Sequence, residues 1–180
     1  MTSKPYQLFY WPIPGRAEAS RVALSLANLD WEDVPLDGKL FASMKNDGEL
    51  PWGMVPLLKT PEGGLAESIA ILRYLGHMCN LTPENAFMVA KVDEFIDGIS
   101  PHFSILEGTF GIDDISERTK AREALFLPDA KGTLGLKLLE KKIKESPTSW
   151  IAGTDDMSIA DLMVFTYTFG LFSGNFDGVN

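Results

Sequence analysis

The sequence predicts an α/β domain over residues 1–76, a linker at 77–83 and an all-α domain over 84–180. Three observations predict this. The first 36 residues read strand, helix, strand; Gly53 to Gly76 reads hairpin, then helix; and after Pro83 apolar residues recur only at helical spacing.

Tyr6 to Trp11 is aromatic and apolar, as a buried strand requires, and Pro12-Ile13-Pro14-Gly15 forces a loop after it. Ala19, Val22, Ala23 and Leu26 make an apolar helical stripe between Arg16 and Asn28, and Trp31 to Leu36 reads as a second strand. Short loops make this a parallel unit with a crossover helix. Asp37 to Trp52, with Phe41 and Lys45, reads as an irregular surface segment. Met54 to Leu58 is an apolar run with Pro56 inside it, which predicts an edge or bent strand, because proline cannot donate to a ladder. Turn formers at Thr60–Gly64 return the chain to a strand near Leu65, and a helix follows that Gly76 ends. The resulting β-α-β-β-β-α order is the thioredoxin-like arrangement, in which active groups gather outside the carboxyl end of the first strand.

In the second domain Val92, Phe95, Ile96 and Ile99 form a buried stripe ended by Pro101. Glu117–Leu127 and the stretch marked by Leu136, Leu139 and Ile143 are further helices. Ser158-Ile159-Ala160-Asp161 has the form of a capping box with Asp in place of Glu. The helix it starts, through Phe172, is apolar on nearly every face and so central to its domain.

Composition narrows the function. The formal charge of −9 and the lack of a basic stripe argue against a nucleic-acid partner. Cys79 is the single cysteine, which excludes an internal disulfide, a paired redox motif and a thiolate zinc cluster; it has no basic neighbour to activate it. His77 and His102 lack a partner at metal-ligand spacing, so no metal is expected. Met1 to Pro5 leads into no apolar leader and no run is long enough to span a membrane, so the chain reads as cytoplasmic.

One stretch carries chemistry. Val55, held extended before Pro56, has backbone groups free to pair with an added segment. Glu67 and Ser68 fall at a helix start, where open N–H groups favour an anion. Together these suit a small zwitterionic peptide: backbone pairing at Val55, a carboxylate on Ser68, an ammonium on Glu67. They also suit an ordinary hairpin and helix whose Glu67 and Ser68 serve only as caps.

Four motifs decide between these. Leu8-Phe9-Tyr10-Trp11 with Gly15-Arg16-Ala17-Glu18, Trp52-Gly53-Met54-Val55-Pro56, Leu65 to Leu75, and Trp150-Ile151-Ala152-Gly153 with the Ser158–Asp161 box occur in this order along most of the chain. In these the chain resembles the cytosolic glutathione S-transferases, nearest the sigma class that includes prostaglandin D synthase. The resemblance implies a co-substrate, glutathione, and a hydrophobic electrophile as second substrate. It implies that Tyr10 activates the glutathione thiol, with Arg16 in support. Val55, before a cis Pro56, would pair with the cysteinyl part; Glu67 and Ser68 would hold the γ-glutamyl end; Lys45 and Phe41 would meet the glycyl carboxylate. Trp11 and Met54 fall beside these and join the glutathione-binding set. Trp52 is expected to pack beneath its loop.

The sigma pattern has Gln where Glu67 stands, and an ammonium suits a carboxylate at least as well. Many relatives reach across a dimer with an acidic residue a few positions past Asp97; here Ser100 and Pro101 stand there. The family also continues past the position of Asn180 with helices that help wall the co-substrate pocket. The expected activity is therefore conjugation or isomerisation by a homodimeric transferase, and the alternative is a non-catalytic glutathione-transferase-like binding or structural module.

Overall fold

A computed structural model describes residues 5–179; Met1–Lys4, where a leader was sought, and Asn180 lie outside the described residues, as does the side chain of Phe103. The chain divides into two compact units, Met1–Thr82 and Pro83–Asn180.

The first unit is built on a four-stranded mixed sheet. Strands β1 (Tyr6–Tyr10), β2 (Trp31–Pro35), β3 (Leu57–Thr60) and β4 (Gly63–Ala66) lie in the order β2-β1-β3-β4. β1 runs parallel to β2, with Leu8 opposite Asp33, and antiparallel to β3; β3 and β4 form the hairpin. Leu8, Leu57 and Leu58 are shut away from solvent, as the inner strands of a covered sheet require. Helices α1 (Glu18–Leu26) and α3 (Ser68–Met78) pack on each other, burying Ala23, Leu24, Ile71 and Leu75. A short 3-10 turn, Gly15–Ala17, leads into α1.

Four sequence expectations change here. Of the two readings of Met54–Leu58, an edge strand or a bend at the proline, the edge is excluded: β3 is central, and Pro56 stands just ahead of its first paired residue, so no ladder bond is lost. The segment after Asp37 is not irregular but a helix, α2 (Gly38–Asn46). Asp37 caps it through Oδ1, which accepts the Leu40 N–H at 2.7 Å, and Met44 anchors its buried side. Gly76 does not stop α3, which takes in His77 and Met78 before it ends. Trp52 does not pack beneath its loop: a turn in which the Gly53 N–H reaches the Leu50 carbonyl puts Leu50 inside and leaves Trp52 72% exposed.

The second unit is helical: α4 (Ala86–Phe103), α5 (Ile115–Leu125), α6 (Lys131–Glu145) and α7 (Ile159–Leu171), with a 3-10 turn at Glu107–Thr109. α4 and α7 pack together, and Val92, Ile96 and Ile99 are buried as their spacing predicts. Pro101 does not end α4. It lies in the last turn, where one missing N–H removes little of the ladder. The Asp161 carboxylate accepts the Ser158 N–H at 2.8 Å, and its second oxygen accepts the Ile151 N–H, so the capping box also pins the preceding loop. α7 is less uniformly enclosed than its composition suggests: Phe165 and Phe169 stack on each other at 6.0 Å on an exposed stripe.

Among the described residues no helix is long and apolar enough to cross a membrane.

Candidate functional site

The residues predicted to form the site lie at the carboxyl end of β1 and the two segments that flank it. Tyr10 ends β1 with its side chain 7% exposed, and its hydroxyl accepts the backbone N–H of Arg16 at 3.1 Å. A hydroxyl has one proton to donate and two lone pairs, so an oxygen engaged as an acceptor keeps its proton for another partner. Arg16 thus meets Tyr10 through its backbone, and its half-buried side chain sits on the turn that leads into α1.

Gly15 explains why that contact fits. Its φ is +47°, and a Cβ placed there would stand 2.7 Å from the Tyr10 hydroxyl. Gly15→Ala is therefore expected to lose about 1–2 kcal/mol from the left-handed backbone alone and more from the clash. The measurable result is a melting temperature lower by several degrees, with displacement of the hydroxyl from its Arg16 contact.

A second group forms around α2. The rings of Trp11 and Phe41 lie 5.1 Å apart, the Lys45 ammonium is 5.9 Å from the Phe41 ring, and Lys45 Cε comes within contact range of a Cβ built on Gly53. Phe41 and Lys45 are one helical turn apart, which puts both on one face. Trp11, Phe41 and Val55 all pack on the cluster of Phe9, Leu36, Met44, Leu50 and Leu57. A single apolar base therefore carries three of the predicted residues.

The third group is the start of α3. Leu57 pairs with Ala66, so Pro56 and Val55 leave the sheet beside Glu67 and Ser68. The Val55–Pro56 peptide bond is cis, and Pro56 is buried while Met54 is 63% exposed. Glu67 occupies the N-cap of α3 with φ 71° and ψ 116°, and its carboxylate makes no capping bond. Side chains other than glycine avoid that backbone region. The exposed carboxylate and the uncapped N–H groups at Ser68 leave one acceptor and several donors open at the same helix end.

Sequence reasoning passed over Arg21. Its side chain is 14% exposed and reaches from α1 to the loop after Tyr10. Nη1 donates to the carbonyls of Ile13 (2.9 Å) and Pro14 (3.2 Å) and to Glu18; Nη2 donates to the Trp11 carbonyl; Nε donates to Asp33. The guanidinium also lies 5.8 Å from the Tyr10 ring centroid. The one signal in the sequence was indirect: Pro12 and Pro14 leave a loop poor in donors, whose carbonyls need an outside partner.

Cys79 donates to the Ala23 carbonyl at 3.5 Å, and burial pushes its thiol pKa up, away from thiolate chemistry. Among the described residues no three His, Cys, Asp or Glu side chains gather as metal ligands.

Comparison with known proteins bears on this arrangement. Residues 6–77 match the family model described as glutathione S-transferase, N-terminal domain. The chain is 28% identical over 166 residues to glutathione S-transferase 1 of Ascaris suum, covering 88% of this chain and 76% of the relative. It is 29% identical over 142 residues to hematopoietic prostaglandin D synthase of Gallus gallus, covering 72% and 70%. Among solved structures it superposes on NaGST1 with a TM-score of 0.71 at 30% identity, covering 88% of this chain and 76% of that one. With the mixed sheet, the helical second unit and this match in hand, the chain belongs to the glutathione S-transferase family.

Proposed function

We propose that the chain is a sigma-like, Tyr-type glutathione transferase that ionises the thiol of bound glutathione and directs it at an electrophile, by conjugation or isomerisation. Likeness to a prostaglandin D synthase as well as to transferases supports that pair of reactions. The observation that carries the reading is the Tyr10 hydroxyl, accepting the Arg16 N–H and left with its own proton to donate to sulfur. Glu67 takes the γ-glutamyl ammonium and Ser68 with the α3 N–H groups takes its carboxylate. Val55 pairs with the cysteinyl backbone, while Lys45, on the base of Trp11 and Phe41, meets the glycyl carboxylate. Ile13, 55% exposed in the loop after Tyr10, offers apolar surface to a hydrophobic electrophile.

Turnover of a generic aryl electrophile with glutathione is the direct test. Saturable, glutathione-dependent conjugation supports the proposal; binding of glutathione without turnover supports a non-catalytic module instead.

The proposed assembly is a cytoplasmic homodimer. The apolar stripe of α4 does not supply the interface, since Val92, Ile96 and Ile99 are buried inside their own unit. Trp52 and Met54, 72% and 63% exposed, are the most exposed large apolar side chains described in the first unit and are the ones offered to a second copy. Sedimentation at micromolar concentration is expected to give a dimer, and Trp52→Ala to shift it toward monomer. A wild-type chain that sediments only as monomer overturns this.

A further inference from the structure

We propose that Arg21 is the positioning residue that sets how strongly Tyr10 activates the thiol, acting through the loop at residues 11–14 rather than through contact with any ligand. This rests on the reading of Tyr10 as the thiol's donor.

The loop cannot hold itself. Pro12 and Pro14 bring no N–H group, and the short bond inside it, Ile13 N–H to the Trp11 carbonyl at 2.7 Å, closes only a three-residue turn. Its shape comes from outside, from one side chain that binds the carbonyls of Trp11, Ile13 and Pro14 at once. That side chain is itself held at both ends of its fork. Asp33 accepts from Nε at 3.1 Å, and Asp33 stands opposite Leu8 in the β1–β2 register, so one anchor is the sheet. Glu18 accepts from Nη1 at 3.0 Å, one turn back along α1, so the other anchor is the helix. Arg21 therefore ties sheet, helix and loop to one plane, and the Tyr10 ring lies beneath it.

Geometry at the hydroxyl follows from this tie. The loop that Arg21 holds runs directly into Gly15, where a Cβ would stand 2.7 Å from the Tyr10 oxygen, and into Arg16, whose backbone N–H meets that oxygen. A loop that drifts by half an ångström moves that N–H off the oxygen, and hydrogen bonds weaken steeply with such misalignment. Since an accepted bond polarises the hydroxyl as a donor, the strength with which Tyr10 donates onward depends on a residue that touches no substrate. Arg21 is too enclosed, and too fully engaged by protein partners, to be a ligand for glutathione itself.

Only a planar fork meets this geometry. A lysine keeps the charge between Glu18 and Asp33 but presents three donors on one atom and cannot span three carbonyls and two carboxylates. Arg21→Lys in the full chain is thus the informative variant, read by titrating the thiolate absorbance of bound glutathione, by calorimetry of glutathione binding and by thermal melting. The thiol titration is expected to rise by about one unit and turnover at neutral pH to fall about tenfold, while glutathione affinity stays within a few-fold. In a Tyr10→Phe background the same substitution is expected to leave the titration where Tyr10→Phe alone puts it. A responsive Tyr10→Phe with an unmoved Arg21→Lys titration overturns the role of Arg21 alone, whatever happens to the melting temperature, and so does a further rise in the double variant. An unmoved Tyr10→Phe titration overturns the reading of Tyr10 and this inference with it. Should Arg21→Lys not fold, Glu18→Gln with Asp33→Asn loosens the same fork from its anchors: a raised titration supports the proposal and an unchanged one overturns it.

Discussion

Tyr10→Phe is expected to slow transfer on the order of a hundredfold while glutathione affinity stays within a few-fold. A free thiol has a pKa of about 8.5, so only a few per cent is ionised at neutral pH. Lowering it by about two units takes roughly 2.7 kcal/mol. One buried hydrogen bond to a charged acceptor contributes about 1.5–3 kcal/mol, so a single hydroxyl suffices for most of the shift. The phenylalanine ring fills the same enclosed position at the end of β1, so packing is kept and one oxygen is lost. That oxygen also accepts the Arg16 N–H, so a loss of stability of about 1 kcal/mol accompanies the change. The distinguishing measurement is the thiolate titration of the bound complex, which is expected to move to higher pH. If it stays in place, Tyr10 is a packing residue.

Removing both groups at the start of α3 is expected to have the larger effect on binding. Glu67→Ala with Ser68→Ala deletes the two charge-assisted contacts proposed for the γ-glutamyl end, each worth about 1.5–3 kcal/mol, so the dissociation constant is expected to rise more than a hundredfold. Lys45→Ala serves as the control. Its ammonium is exposed on α2 over the Phe41 ring, and an exposed ion pair contributes about 0–1 kcal/mol. Equal losses by calorimetry would move the γ-glutamyl pocket away from Glu67.

The strand and helix order of the first unit was legible because the period of its apolar residues changes cleanly from β1 to α1 and from β4 to α3. α2 was missed although Asp37, three residues before Leu40, is an ordinary cap; the polar face of a short helix hides a stripe that buries only Met44. Trp52 was misplaced because size and apolarity suggest burial, whereas the turn at Leu50–Gly53 decides which way the side chain faces. Tyr10 was singled out by its motif, and Glu67 and Ser68 by the helix start they occupy, which the structure also shows. Arg21 was not, since its partners are mostly loop carbonyls, and every residue carries one.

The backbone of Glu67 sets the needs of the fold against those of ligand binding. A positive φ at a residue with a Cβ costs on the order of 1–3 kcal/mol, and glycine at that position relieves it. Glu67→Gly is therefore expected to raise the melting temperature and, at the same time, to abolish capture of an ammonium group. A library of this protein screened for heat resistance alone would drift toward variants that fold well and hold no glutathione, and position 67 is where that drift would show first.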